Sequence, residues 1–249
     1  MFTGYKMYTP KCPPTPIRNN ILENSVIYKQ CFGSNSAPLE DEEQLRRLKD
    51  AIMNSMNSTE IPSDNFSDVA ENYYIPIVLW LENKVRTRSD KDGPALCVGI
   101  SIPQGGGKTT LTSCFEKALN EACNLNTAGI SIDDFHLTHE EQVALGTKFP
   151  DNVYYQGRGV AGTHDLQLGR ETIHALVHDS AKDKQIKVPQ YDKSAYDGKG
   201  DRKPSDKWKT IEGKLDLLVV EGWMLGYEAV PEDDPALAKY GEAMKEVNK

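Results

Sequence analysis

No run in this 249-residue chain approaches the ~18 uninterrupted apolar residues that cross a bilayer, so no membrane-spanning helix is expected. The chain also lacks a long basic tract: 29 Lys and Arg against 37 Asp and Glu leave a net charge of −8. That balance argues against a nucleic-acid surface, which needs clustered positive charge. Cysteine is scarce and odd in number. Cys12, Cys31, Cys97, Cys114 and Cys123 are scattered without metal-binding spacing, which excludes a disulfide framework or a zinc module and fits a reducing compartment. Cys97 in a strand and Cys114 on the following helix are expected to be reduced and buried. No internal repeat is found, and the N-terminus has no hydrophobic signal core. Its first 22 residues carry Lys6, Lys11 and Arg18 with no acid, as transit peptides do. Serine and arginine are too sparse to argue for one, so a cytoplasmic location is preferred and an organelle such as the plastid is the alternative.

What is present, 38% hydrophobic and 27% charged residues, is the make-up of a soluble globular protein. Residues 1–38, rich in Pro, Asn and Ser, read as an irregular arm. Residues 39–94 read as a helical extension packing on a core. One short surface helix is expected inside 40–54, with Leu45, Leu48 and Ile52 inward, and a second at Tyr74–Arg86 after a linker over 58–68. From Ala95 the rhythm changes. Ala95–Ile102, Ala128–Ile132 and Leu215–Val220 are short, continuously apolar runs separated by helical stretches. Such runs are buried on both faces, which predicts an α/β fold: a mostly parallel sheet covered by helices. A long insertion, 133–213, separates the second and third runs. It holds an expected helix, Asp165–His178, with Leu166, Ile173, Leu176 and Val177 inward.

The richest segment joins the first strand to a helix beginning at Lys108: Gln104-Gly105-Gly106-Gly107-Lys108-Thr109-Thr110. Three glycines let the backbone curl so that successive N–H groups point at a phosphate, and the helix N-terminus adds partial positive charge. Lys108 is placed to reach the outer phosphates and the Thr109 hydroxyl to ligate Mg²⁺. A glycine-rich linker would give Lys-Thr no reason to open an amphipathic helix. The usual pattern has a glycine five places before the last, where this chain has Ile102. The reading is nucleoside triphosphate, taken as ATP; no Asn-Lys-x-Asp guanine motif occurs.

Two acidic motifs end the other strands. Asp133-Asp134 stands at the carboxyl end of the second, the side on which open parallel sheets bind ligands. Of two adjacent acids one is expected to cap the turn and the other to work; Asp133 is preferred as the base, with Asp134 beside it on the acceptor side. Leu217-Leu218-Val219-Val220-Glu221-Gly222 ends in Glu where Asp is commoner, and Glu221 is placed to orient Mg²⁺. Within the insertion, Arg158–Asp165, Val188–Ser194 and Gly198–Arg202 mix Arg, Lys, His, Asp and Tyr as an acceptor pocket would. His136, His139, His174 and His178 read as surface or helix-face residues, Tyr196 and Trp208 as packing residues; among the histidines only His164 stands out.

Together these segments resemble the phosphoribulokinase/uridine kinase group of P-loop kinases, and more closely the ATP-dependent D-glycerate 3-kinases of plant and fungal type. The resemblance rests on Gly99–Thr110, Asp133-Asp134-Phe135-His136-Leu137-Thr138, Arg158–Gly169, Pro189–Ser194 and Glu221-Gly222-Trp223-Met224-Leu225-Gly226, about half of the chain. It implies a three-layer P-loop kinase sandwich over 95–249, with Lys108 and Thr109 binding ATP and Mg²⁺, Asp133 as base and Glu221 at the metal. It places Arg158, His164, Asp165, Tyr191, Asp192 and Lys193 on the acceptor side, where Arg158, Lys193 or Arg202 would meet the carboxylate of D-glycerate. Only 27 residues follow Gly222. The group is expected to continue into further strands and an arginine-bearing lid, so the reading is a fragment incomplete at its C-terminus. The rival readings are a kinase for a sugar or nucleoside, and a nucleotide-binding regulatory protein with no acceptor.

Overall fold

The computed structural model describes residues 25–32, 42–56 and 66–248. Most of the arm expected over 1–38, and the linker expected over 58–68 up to residue 65, lie outside the described residues; the described part of the arm is a helix, α1 (Val26–Phe32), rather than irregular chain, and residues 66–68 of the expected linker are helical.

Three parallel strands form the central sheet: β1 (Leu96–Ser101), β2 (Thr127–Ser131) and β7 (Leu217–Gly222), in the order β1-β7-β2. The strand furthest along the chain is thus in the middle, and it is buried at all six positions. Its alternate residues explain the unbroken apolar run. Leu217 and Val219 face one layer, with Phe115, Ala118 and Leu119 of α4 (Lys108–Cys123). Leu218 and Val220 face the other, with Ala128, Ile130, Phe135, Leu176 and Val188.

Helices α2 (Glu42–Met56) and α3 (Ile75–Thr87) back α4. Leu48 and Ile52, expected inward, are fully buried there, each worth ~1.5–3 kcal/mol of burial. A short helix, Phe66–Val69, runs through a wider π-turn, Ala70–Tyr74, into α3, whose first turn accommodates Pro76. Arg86 fastens α3 to the end of α4 by donating to Glu82 at 2.8 Å and to the Cys123 carbonyl at 2.7 Å. Burial, with the negative Glu82 alongside, pushes the Cys123 thiol up to about 12. Cys114 is buried as expected, but Cys97 is exposed, because that face of β1 is uncovered at the sheet edge.

The insertion is more ordered than a loop. It contains α5 (His139–Lys148), α6 (Leu166–His174) running into a π-turn, and two small antiparallel pairs. The pairs are β3 (Gln185–Val188) with β6 (Lys209–Glu212), and β4 (Tyr191–Asp192) with β5 (Asp201–Arg202). Leu166, expected inward, is 75% exposed. Asp165 caps α6 by accepting from the Leu168 amide at 3.0 Å, and that phase turns Leu168, not Leu166, onto the core. The final helix, α7 (Pro235–Val247), breaks at Gly241 and docks on the insertion, where Asn152 donates to the Ala243 carbonyl at 3.0 Å. Among the described residues no helix is long and apolar enough to cross a membrane.

Candidate active site

Parallel strands bring three chain segments to one edge. In register, Glu221 of β7 lies between Ile100 of β1 and Ser131 of β2. The glycine loop leaves β1 just beyond, and Asp133 follows β2 by two residues, so loop, Glu221 and Asp133 share the carboxyl end of the sheet.

The loop is built for close approach. Gly105 and Gly107 have φ of 80° and 75°, which an L side chain would strain, and Gly107 is the residue from which α4 starts. Gly106 is required for another reason: a Cβ there would stand 2.4 Å from Cγ2 of Ile102. Ile102, which replaces the pattern's first glycine, therefore folds back over Gly106. On the floor of the site Glu221 is 3% exposed, and the Thr109 hydroxyl donates to its Oε1 at 3.4 Å. Its Oε2 is buried with no partner. A buried carboxylate oxygen without a donor, beside a threonine hydroxyl at a helix start, is a donor set that a hard divalent cation such as Mg²⁺ or its waters would complete.

Asp133 and Asp134 sit on a 3₁₀ turn, Ile132–Phe135, and divide their work. Asp134 accepts the Tyr191 amide at 3.0 Å, fastening β4 to the sheet; burial raises its pKa, against that hydrogen bond. It serves the backbone rather than a ligand. Asp133 faces a cleft of about 770 Å³ and receives the Lys193 ammonium at 2.7 Å. Burial alone would raise its pKa, but Lys193, helped by the charge of Lys108, holds it below the ordinary carboxylate range. Protonated His136 lowers it further, but burial and the neighbouring His164 bring the imidazole's own pKa down to about 4, so at neutral pH His136 is uncharged.

His136 is the residue that sequence reasoning missed. It is 3% exposed, not on the surface, and its Nε2 is 3.7 Å from Asp133 Oδ1. A signal existed: in a 3₁₀ turn residues i and i+3 eclipse, which stacks His136 over Asp133. An antiparallel bridge pairs His136 with His164, whose ring lies 4.2 Å away and whose pKa burial also lowers. Trp223, in the turn after β7, lines the cleft as well and donates to the Gly159 carbonyl at 3.0 Å.

The other expected acceptor residues divide. Arg158 and Lys193 line the cleft, although Arg158 is braced by the Gly198 carbonyl at 2.7 Å, by that of Lys199, and by the Tyr191 ring. Arg202 does not reach the cleft lining. It is held between Asp165, at 3.3 Å, and the His136 carbonyl, at 2.8 Å. Asp165 is spent on that pair and on its helix cap, and Asp192 on the Ser194 amide and hydroxyl. Tyr191 packs edge-on against His136. Tyr196, expected to pack, is 57% exposed and stacks on His139 at 3.8 Å.

No protein-family model matches the chain. It is 43% identical over 166 residues to the chloroplastic D-glycerate 3-kinase of Arabidopsis thaliana, covering 65% of this chain and 36% of that protein. It is 42% identical to an uncharacterized kinase of Schizosaccharomyces pombe, covering 55% and 49% respectively. The chain thus spans about a third to a half of the length of these curated relatives. Among solved structures, D-glycerate 3-kinase from Cryptococcus neoformans superposes with a TM-score of 0.56 at 35% identity, over 68% of this chain and 56% of that one. In sequence and in its α/β P-loop kinase fold, the chain is similar to the D-glycerate 3-kinases.

Proposed function

We propose that this chain carries the phosphate-transfer centre of an ATP-dependent kinase whose acceptor is the 3-hydroxyl of D-glycerate. One observation carries the reading: the glycine loop, Glu221 and Asp133 converge at the ends of three adjacent parallel strands, with a cleft beginning at Asp133. The backbone of Gly105–Lys108 and the Lys108 ammonium hold the triphosphate. Thr109 and Glu221 are the residues that would hold Mg²⁺, which, bound with ATP, offsets the charge on the β- and γ-phosphate oxygens. Asp133, kept ionised, accepts the proton of the acceptor hydroxyl as its oxygen bonds to the γ-phosphorus and ADP departs. Lys193 and Arg158 on the cleft wall suit the acceptor's carboxylate. The similarity to proteins named D-glycerate 3-kinase supports this choice of acceptor.

The test is ADP release by this chain with Mg²⁺ATP and either glycerate or glycerol. Glycerate is expected to stimulate release and glycerol, which lacks the carboxylate, not to. Equal stimulation would move the assignment to a neutral polyol kinase. Stimulation by no acceptor would leave a nucleotide-binding protein. Lys108→Ala is expected to abolish stimulated turnover and weaken ATP binding.

A further inference from the structure

We propose that Asp133, His136 and His164 form a binding site for a divalent transition cation of the zinc class, separate from the oxygen donors at Thr109 and Glu221. Each residue offers one ligand atom, and these atoms lie within 4.8 Å of one another. Two distant segments are locked together to achieve this. Leu137 donates to the Thr163 carbonyl at 3.0 Å and Asp165 to the Phe135 carbonyl at 2.7 Å, either side of the His136–His164 bridge.

The surroundings are those of metal-binding imidazoles. His136 Nδ1 lies 3.4 Å from the Thr163 carbonyl. Histidine ligands commonly donate one ring nitrogen to a carbonyl in this way, which fixes the tautomer and leaves the other nitrogen as a lone pair. In His136 that other atom is Nε2. His164 Nε2 is buried without a hydrogen-bond partner, and His136 Nε2 faces Asp133 Oδ1. Lys193 occupies only Oδ2 of Asp133, so Oδ1 remains for a cation. Two imidazoles and one carboxylate are borderline donors that favour Zn²⁺ or Co²⁺ over Mg²⁺, and three protein ligands leave a fourth position for water. A cation there would take up the carboxylate proposed as the base, so it would inhibit transfer. That consequence rests on the proposed function; the binding does not.

The experiment titrates Zn²⁺ into the 249-residue protein without nucleotide, followed by calorimetry, and repeats it with Co²⁺, followed by visible absorption. One site is expected, with the intense Co²⁺ bands of low-symmetry coordination, insensitive to millimolar Mg²⁺. His164→Gln and His136→Asn are expected to weaken Zn²⁺ binding at least ~10-fold and to remove the Co²⁺ bands. Circular dichroism checks that each variant is folded, and the wild-type spectrum carries the test if one is not. His174→Ala, in the exposed His174–His178 pair, is expected to change nothing. Wild-type affinity in the folded His164→Gln protein, absence of Co²⁺ bands in the wild type, or loss of the site in His174→Ala would each overturn the proposal. Protection of the pocket by glycerate with no Zn²⁺ binding would also overturn it, in favour of hydroxyl donors. Zn²⁺ binding without glycerate-stimulated ADP release would instead leave this site standing and remove the kinase reading.

Discussion

The two ends of the site are made of different material. The phosphate end is mostly one local segment: three glycines, a helix start and two side chains within two residues of it, with Glu221 of β7 as its one remote member. The proposed acceptor end is side chains from remote segments, and most of its charged residues are already engaged with the protein. Arg202 grips Asp165 and a carbonyl, Asp134 holds the Tyr191 amide, and Asp192 holds Ser194. A local motif declares its chemistry through spacing. A pocket assembled over sixty residues of separation does not, because the same Arg or Asp serves a ligand or a scaffold depending on what folds against it.

The strongest way to break this contrast is at Asp133, the residue where the two ends meet. Asp133→Asn is expected to lower kcat by ~10²–10⁴ while ATP affinity stays within a factor of a few, measured by ADP release and by nucleotide titration. A near-normal rate would take the base away from this site.

Next in size is the pair Arg202 and Lys193. If Arg202 is scaffold, Arg202→Met strands Asp165 and is expected to cost ~3 kcal/mol or more of stability, seen as a lowered urea midpoint. Lys193→Met removes a cation whose own side chain is 59% exposed, so it is expected to lower the midpoint less than Arg202→Met, while it raises the Asp133 pKa in the kcat pH profile and raises KM for glycerate. The reverse pattern would return Arg202 to the acceptor side.

The buried histidines set a third expectation. The folded pKa of His136 is about 4 against 6.5 unfolded, so between these values the unfolded chain binds the extra proton. Stability is therefore full above about pH 6.5 and falls with pH down to about 4, by up to ~3 kcal/mol. His136→Asn is expected to flatten that slope in denaturant titrations at each pH. An unchanged slope would mean that His136 is not what resists the proton.

The smallest effect sharpens the phosphate end. Gly106→Ala is expected to cost ~1–3 kcal/mol in ATP affinity by pushing on Ile102, and Ile102→Ala in the same protein to restore much of it. A loss that the second change leaves untouched would mean that the ligand, not Ile102, meets the new methyl.

Much of the fold was legible because its signals are short-range. Unbroken apolar runs of five or six residues announced strands buried on both faces, and Gly-Lys-Thr between strand and helix announced the loop. The stripe of Leu45, Leu48 and Ile52 marked the buried face of its helix, although a stripe says that one face is covered but not by what. Leu166 was misplaced because the cap at Asp165, rather than the apolar count, set the helix phase. His136 was passed over because the turn that sets it over Asp133 was not read from the sequence and its other partner, His164, is twenty-eight residues away.

On its own, then, the chain determined the elements and the phosphate loop, since both depend on φ/ψ preferences and periodicity within a few residues. The sheet order, with β7 slotted between β1 and β2, was decided by tertiary structure. So was the meeting of Asp133, His136, His164 and Lys193 at one point. Those arrangements depend on which buried surfaces fit together across the whole chain, and that is a property of packing rather than of any segment.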